Sequence, residues 1–312
     1  MLIIKIILNS KIKDQLKEKY QAIDQDVEVH LEGLLHSKPI NYWDYIQTDA
    51  LLNLQVQRTV FPDENVFIMY HQVSELLFKM ILLEIDQIAS LKDVDLELFM
   101  SKINRITRYF DVLTSSFSIM KDGMDIDQYN KFRKTLTPAS GFQSAQYRKI
   151  EFASTELVNL IDKRFRDSLD KNATYETAFE YLYWQAAGID FKTGKKTYTL
   201  SAFETRYKDE LIRFTKFYQK NNLWSKFKTL PKRDQDDKDL VKAMRNYDYT
   251  VNIKWVMTHY NTANHYLNIN GKTAEATGGS EWVKYMHPKY QKRIFFPDLW
   301  TEKEIEAWGT DV

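Results

Sequence analysis

Proline and glycine are scarce along this chain of 312 residues, which restricts the folds that it can adopt. Six prolines and nine glycines are too few for an all-β fold, because such folds need turn residues at short intervals. Between these breaks, apolar residues recur at the i, i+3, i+4 spacing of helices that bury one face. The spacing predicts a helix from Val66 to about Ala89, and further helices at roughly 44–58, 95–120, 142–165, 174–187, 201–223 and 236–268. We therefore predict an all-α protein with one large helical domain over residues 1–312.

Charge and cysteine content exclude several classes of site. The chain has no cysteine, which removes disulfides, thiolate catalysis, cysteine-ligated zinc and iron–sulfur clusters. A formal net charge of +1 gives no general attraction to nucleic acid or to an acidic membrane. The apolar start MLIIKIIL is shorter than the roughly 20 residues of a spanning helix, and no cleavage site for a signal peptide follows it. We expect a cytoplasmic protein without nucleic-acid or membrane partners.

The segment FIMYHQVSEL, residues 67–76, places a histidine within an apolar helix. Phe67 and His71 share a helical face, and Glu75 follows His71 by one turn. The simplest interpretation is a core histidine paired with Glu75 or with a backbone carbonyl. A role in binding a metal or a substrate stays open, because histidine titrates near neutral pH.

The segment DQYNKFRKTLTPASGFQSAQYRKIEF, residues 127–152, carries an arginine one turn after a tyrosine. Tyr129 and Arg133 are predicted to lie on a short helix that ends near Leu136. The guanidinium offers planar donors that match a carboxylate, and a surface cation–π pair is the alternative. The helix after Gly141 holds polar residues that could form an interhelical or intersubunit network: Gln143, Gln146, Arg148 and Glu151.

The segment YTVNIKWVMTHYNTANHYLN, residues 249–268, holds two histidines on one predicted helix. His259 lies one turn after Trp255, and His265 is six residues further and about 240° around the helix. The two side chains therefore cannot share one metal ion. A single histidine holds a metal convincingly when the metal brings its own ligands, as haem does. Downstream, the Thr277 hydroxyl in EATGGSEW could close over a small ligand, or the stretch is a turn.

Five segments together resemble the tryptophan 2,3-dioxygenase family, whose members open the pyrrole ring of tryptophan with a haem. FRKTLTPASGFQSAQYRKIEF is similar to the family's FR…L…P.SGFQS.QYR.IEF signature, and FIMYHQVSELLFK to its F(I/V)..HQ.SEL..K helix. NYWDYIQTDALLNLQ is similar to its N-terminal Y..YL.LD.LL..Q segment. TGGS is similar to its closing loop, and FFPDLW to its FFPELF. The matches follow the family's order over residues 41–300.

The resemblance implies a role for each residue of a haem pocket. His259, beside Trp255, would be the proximal ligand of the haem iron. His71 would accept a hydrogen bond from the indole N–H on the distal side, where Phe67 packs against the ring. Arg133 would bind the substrate carboxylate. Tyr129 would support that carboxylate, and Thr277 would contact the ammonium or the carboxylate. Tyr42, Tyr45 and Ile46 would enter the pocket of a neighbouring subunit.

The resemblance also implies a reaction and an assembly. The reaction inserts O2 across the indole C2–C3 bond of L-tryptophan to give N-formylkynurenine, the first step of tryptophan catabolism by the kynurenine route. It uses haem b, ferrous in the active state, with O2 as co-substrate. The fold would be a helix bundle that encloses the haem in an intertwined homotetramer, with residues 1–60 or so contacting a neighbouring subunit. Alternatives are a haem oxygenase of the same fold for a substituted tryptophan or another indole, and a non-catalytic haem or indole sensor.

The chain departs from the family pattern at two places. Thr258, Asn261 and Thr262 stand around His259 where basic residues often occur, and these changes bear on how the haem propionates are anchored. Glu281 and Trp282 directly follow the TGGS loop, where the family usually has small residues.

Overall fold

The structure, a computed structural model, describes residues 2–170, 172–190, 193–269, 272–273 and 286–310. Its residues form two compact units, Met1–Gln55 and Val56–Val312. The predicted all-α class is confirmed: among the described residues the only paired strands are Asn268–Ile269 and Lys272–Thr273, a two-residue antiparallel hairpin. Thr277, Glu281 and Trp282 lie outside the described residues.

The first unit consists of four helices: α1 Leu2–Gln21, α2 Val27–His36, α3 Tyr42–Ile46 and α4 Thr48–Leu51. The Asp26 side chain accepts a hydrogen bond from the Glu28 amide and so caps α2. The single helix predicted over 44–58 is wrong, because Gln47 adopts a left-handed conformation (φ 59°) between α3 and α4.

The second unit holds the remaining helices. Its α-helices are α5 Pro62–Ala89, α6 Leu96–Lys121, α7 Ile126–Phe132, α8 Ala145–Ser154, α9 Lys163–Arg166, α10 Tyr175–Phe179, α11 Tyr198–Tyr218, α12 Leu223–Thr229, α13 Lys232–Gln235, α14 Lys238–Tyr249, α15 Val256–Leu267, α16 Pro288–Gln291 and α17 Glu302–Glu306. Short 3₁₀ turns occupy Arg133–Thr135, Gly141–Gln143, Leu157–Leu160, Tyr183–Gly188 and Pro297–Leu299. The predictions for 95–120, 201–223 and 236–268 match α6, α11 and α14–α15 closely.

The helices predicted over 142–165 and 174–187 are shorter than the apolar spacing suggested. The first ends at Ser154, and the hydroxyl of Thr155 donates to the carbonyl of Phe295 at 2.5 Å, far along the chain. The second, α10, ends at Phe179 and is followed by a 3₁₀ turn. Tertiary contacts, rather than local apolar spacing, decide where these helices stop.

The frame of the second unit is formed by α5, α6, α8 and α11. α5 packs along α6, and α8 packs against α5 on one side and α11 on the other. Between them lies a core of fully buried side chains that includes Ile81, Phe99, Phe110, Ile150 and Tyr247. This arrangement holds one face of α5 opposite the start of α8.

The helix that carries His259 is interrupted by a π-helical segment. α14 continues through a π-helix at Thr250–Trp255 directly into α15. Such segments change the register of a helix and occur frequently at functional sites. The Asp248 carboxylate anchors this region, because it accepts hydrogen bonds from the backbone amides of Phe295 and Phe296 and from the Trp300 indole N–H.

One face of α5 is apolar and exposed. Met69, Val73, Leu76, Met80 and Leu83, here called the α5 stripe, are 40 to 52% exposed. By length and composition alone α5 could cross a membrane, a test that core helices of soluble proteins also pass. Its opposite face packs into the core through Ile81, Ile85 and Ile88.

Candidate active site

One cavity collects most of the predicted site residues. It measures about 280 Å³ and is lined by side chains of α5, α6, α7, α8 and α15, all in the second unit. The predicted residues that line it are Phe67, His71, Tyr129, Arg133, Trp255 and His259. A groove of about 880 Å³ beside α14 is larger, but no histidine is among its lining residues. We therefore take the smaller cavity as the candidate active site, because the predicted functional side chains meet there.

His71 presents one ring nitrogen to the cavity. Its Nδ1 lies 2.8 Å from the carbonyl oxygen of Phe67, one turn earlier on α5. Because a carbonyl can only accept, Nδ1 carries the proton and Nε2 is left with a free lone pair. Burial lowers the pKa of His71, although the Phe67 carbonyl and Glu75 act in the opposite direction. The ring is therefore neutral at pH 7 and can accept a hydrogen bond.

Aromatic rings surround this nitrogen. The ring of Phe67 lies 4.1 Å from that of His71, centroid to centroid, and 6.1 Å from that of Tyr129. Tyr129 in turn packs on Tyr266 at 4.2 Å. Arg133 follows Tyr129 by one turn, and the two side chains are hydrogen-bonded, while burial raises the pKa of Tyr129. A planar apolar slot therefore ends at a guanidinium.

His259 faces the same cavity from α15. Its ring stacks on Phe117 at 5.5 Å and lies 5.7 Å from Trp255, and within the described part of the chain it makes no hydrogen bond. Burial, with the charge of His71 adding to it, lowers the pKa of His259 to about 4. The His259 ring is therefore neutral at pH 7, with a proton on one nitrogen and an available lone pair on the other. His265 is exposed, as its position around the helix predicts.

Glu75 joins α5 to α8. Its carboxylate accepts hydrogen bonds from the Ser144 hydroxyl at 2.6 Å and the Gln146 amide at 2.8 Å, and the same amide reaches the Glu75 carbonyl. The simplest interpretation of the sequence offered His71 either Glu75 or a backbone carbonyl as its partner. The structure shows the second, the Phe67 carbonyl, while Glu75 acts on the ring only through its charge.

Comparison with known proteins identifies the group to which these residues belong. A sequence model described as tryptophan 2,3-dioxygenase matches residues 32–263. The chain is 28% identical over 288 residues to the tryptophan 2,3-dioxygenase of Geobacillus thermodenitrificans. The alignment covers 88% of this chain and 96% of that protein. It is 26% identical over 290 residues to that of Bacillus thuringiensis, with 88% and 97% covered. Tryptophan 2,3-dioxygenase B of Danio rerio is 41% identical over 124 residues, 36% of this chain and 30% of that protein.

The chain belongs to the tryptophan 2,3-dioxygenase family. The membership confirms the resemblance inferred from the motifs, and with it the class of enzyme, an oxidoreductase that uses O2. The matched range contains His71, Tyr129, Arg133, Trp255 and His259. The roles of these individual residues stay predictions.

The described residues of the cavity fit the haem that the family implies. Where the structure describes the chain, no three His, Asp or Glu side chains group to hold a bare metal ion, so a metal at His259 must bring further ligands. His259 supplies a neutral nitrogen between the flat rings of Phe117 and Trp255. Gly141 adds to this wall, since a Cβ there would lie 4.0 Å from the His259 ring. A planar, apolar group with one open axial position suits this setting.

Several cavity residues were missed by sequence reasoning. Phe117, Tyr183 and Arg293 line the cavity but come from α6, a 3₁₀ turn and the segment before FFPDLW, with no local pattern to mark them. Of the remaining predicted residues, Tyr42, Tyr45 and Ile46 lie on α3 in the first unit, where they are 73, 74 and 43% exposed. Thr277 lies outside the described residues.

The tautomer of His71 gives the first prediction. In the haem-free protein at pH 7, we expect a neutral ring protonated at Nδ1, because the Phe67 carbonyl holds that proton and burial disfavours the cation. Long-range proton–nitrogen NMR of ¹⁵N-histidine-labelled protein reports the tautomer directly, and the His71→Gln spectrum assigns the signal. A ring that is doubly protonated at pH 7, or protonated only at Nε2, would show that the acceptor nitrogen does not face the cavity.

Proposed function

We propose that this chain is a haem-dependent dioxygenase that converts L-tryptophan to N-formylkynurenine. The observation that carries the proposal is the meeting of three groups in one cavity: neutral His259, His71 with a free acceptor nitrogen, and the Tyr129–Arg133 pair. The reaction balances as tryptophan plus O2, with both oxygen atoms in the product. It needs no reductant from a second cofactor.

His259 would hold the haem iron through its unprotonated nitrogen. The low pKa, about 4, keeps that nitrogen available throughout the physiological range. Haem b, when bound, supplies the redox chemistry that lets dioxygen react with a closed-shell indole. Phe117, stacked on the imidazole, fixes the orientation of the ring.

The other residues would orient the substrate. The indole N–H donates to Nε2 of His71, and the neighbouring Phe67 ring packs on the indole face. The product keeps a hydrogen on this nitrogen, so His71 accepts a hydrogen bond and need not remove the proton. Arg133, supported by Tyr129, pairs with the carboxylate. These contacts fix both ends of the amino acid and set the C2–C3 bond in one place.

Residues beyond the described cavity would complete it. We assign contact with the ammonium or carboxylate of tryptophan to Thr277, as the family resemblance implies. Tyr42, Tyr45 and Ile46 would reach the pocket of a neighbouring subunit, a role that agrees with their exposure on α3. We place the protein in the cytoplasm, where the absence of cysteine suits a reducing environment.

The α5 stripe suits one two-fold interface of the homotetramer that we propose. Its members Met69, Val73, Leu76, Met80 and Leu83 are spaced by alternating intervals of four and three residues, the spacing of the seam between two packed helices. Lys79 is the only charged side chain among the exposed residues from 69 to 83. A second copy of the same helix offers a matching apolar surface, as two-fold contacts between identical subunits do.

Haem binding and turnover provide the second prediction. The protein, reconstituted with haem, reduced and supplied with L-tryptophan in air, should accumulate the absorbance of N-formylkynurenine. His259→Ala should lose the Soret band and the activity, because it removes the side chain that would hold the haem. His265→Ala, a change of the exposed histidine six residues further on the same helix, should retain both.

The outcomes separate the proposed function from its alternatives. A Soret band without product from L-tryptophan would favour a sensor or another indole substrate, which substituted tryptophans would then test. Absence of a Soret band in the unmodified protein would remove the haem assignment.

The third prediction concerns the carboxylate. Arg133→Ala should keep haem and lose tryptophan affinity by about a hundredfold, because breaking a buried charge-assisted pair costs about 2–5 kcal/mol. Tryptamine, which lacks the carboxylate, should bind the variant and the unmodified protein alike. Spectral titration with both compounds measures this, with the exposed neighbour Lys134→Ala as the control. An Arg133→Ala protein that still prefers tryptophan over tryptamine would place the carboxylate elsewhere.

The fourth prediction concerns assembly. Leu76→Glu should dissociate the oligomer, because it places a charge in the centre of the α5 stripe. Phe217→Glu on α11 changes an apolar side chain of similar exposure, 56%, outside the stripe, and should leave the mass unchanged. Sedimentation velocity gives both masses. A Leu76→Glu protein of unchanged mass would show that the stripe is not the interface.

A further inference from the structure

Two arginines at the end of the cavity share one carboxylate. Arg148 Nη1 lies 3.1 Å from Glu151 Oε2, and Arg293 Nη1 lies 2.8 Å from Glu151 Oε1. The Tyr183 hydroxyl donates to Glu151 at 2.6 Å and accepts from both arginines, in the case of Arg148 at 2.9 Å. We call Arg148, Glu151, Tyr183 and Arg293 the α8 arginine cluster.

The α8 arginine cluster carries one unit of excess positive charge. All four side chains are at most 4% exposed. Burial raises the pKa of Tyr183, so its hydroxyl is neutral, and two guanidinium groups face a single carboxylate. A buried charge without a partner is costly and is ordinarily compensated by a counter-ion or a bound ligand.

The excess charge faces the cavity. Arg148, Tyr183 and Arg293 all contribute to its wall. The Nε of Arg148 is buried and has no hydrogen-bond partner among the described residues. Aromatic rings hold the guanidinium in place, with Tyr147 at 4.7 Å and Trp184 at 5.7 Å. A residue of the cavity wall therefore carries a buried donor that is not hydrogen-bonded to the described residues.

The aromatic wall connects this donor to His259. Tyr147 contacts the Arg148 guanidinium with one face and stacks on Trp255 at 4.8 Å. Trp255 precedes His259 by one turn and lies 5.7 Å from its ring. The ring contacts thus run without interruption from the Arg148 guanidinium to His259.

We propose that the α8 arginine cluster is a second carboxylate-binding site of the cavity, and that its ligand is a propionate of the haem. The site rests on the proposed function, because the haem is its occupant. Arg133, which is hydrogen-bonded to Tyr129, is already assigned to the amino-acid carboxylate. The cluster has one positive charge to neutralise, which one propionate supplies. Arg148 and Arg293 are then positioning residues for the cofactor.

The first test needs no substitution. Ferric haem and its dimethyl ester have the same macrocycle and iron, but the ester has no propionate charge. Soret titration of the haem-free protein should give a dissociation constant about tenfold lower, or more, for haem than for the ester, the difference that a charge-assisted hydrogen bond provides. Equal dissociation constants would overturn the proposal. No binding of either compound would instead contradict the proposed function.

Variants then show which arginine is responsible for the preference for haem over its dimethyl ester. Arg148→Gln should bind haem and its ester alike, and Arg148→Lys should restore part of the preference for haem. Arg166→Gln is the matched control, because this half-buried arginine donates to the carbonyls of Ile161, Gln291 and Lys292 away from the cavity. It should keep the full preference. Thermal unfolding followed by circular dichroism shows whether each variant is folded, and an unfolded Arg148→Gln leaves the ester comparison decisive.

Comparison of tryptophan with tryptamine shows whether Arg148 binds the amino-acid carboxylate or a haem propionate. If Arg148 held the amino acid instead, Arg148→Gln would lose the preference for tryptophan over tryptamine and keep that for haem over its ester. That outcome would overturn the propionate assignment.

Discussion

The carboxylate of Glu75 holds the two halves of the cavity together. A half-buried carboxylate must be hydrogen-bonded, and both of its oxygens are used by Ser144 and Gln146 at the start of α8. This attachment fixes Gly141 and the rest of the 3₁₀ turn beside His259. It also occupies the group that would otherwise pair with His71, one turn earlier. The free nitrogen of His71 is thus a consequence of how α8 is bound to α5.

The π-helical segment positions the part of the cavity wall that carries Trp255 and His259. Thr250–Trp255 joins α14 to α15 without a break, so α14 and α15 cannot rotate independently. α14 is fixed by Asp248, which binds the chain at Phe295 and Phe296. Because Trp255 ends the segment, its ring and that of His259 lie on the cavity side, where Tyr147 and Phe117 pack on them. The orientation of His259 therefore depends on hydrogen bonds between residues 47 and 48 positions apart in the chain.

Sequence reasoning recovered what local spacing and short motifs encode. The helices of residues 62–89 and 96–121 follow directly from apolar periodicity, and the motifs around His71 and Arg133 led to side chains that share one cavity. It failed where long-range contacts decide. The ends of α8 and α10, the use of Glu75 by Ser144, and the pairing of Arg293 with Glu151, 142 residues apart, have no signature in nearby residues. The π-helical segment has none either, because its apolar pattern is that of an ordinary helix.

The electrostatics of the cavity follow from these pairings. Both histidines are neutral at pH 7, because burial lowers their pKa values, so neither attracts an anion. Of the charged side chains at the wall, Arg133, Arg148 and Arg293 are positive and Glu75 is negative, with Glu151 behind them. Three positive and two negative charges leave the pocket positive by one. Such a site favours occupants that carry carboxylates and holds an apolar, planar remainder between aromatic rings, beside the His71 nitrogen that can accept a hydrogen bond. The charged side chains therefore favour ligands with carboxylates at their ends, and the two neutral histidines can contact the uncharged middle of such a ligand.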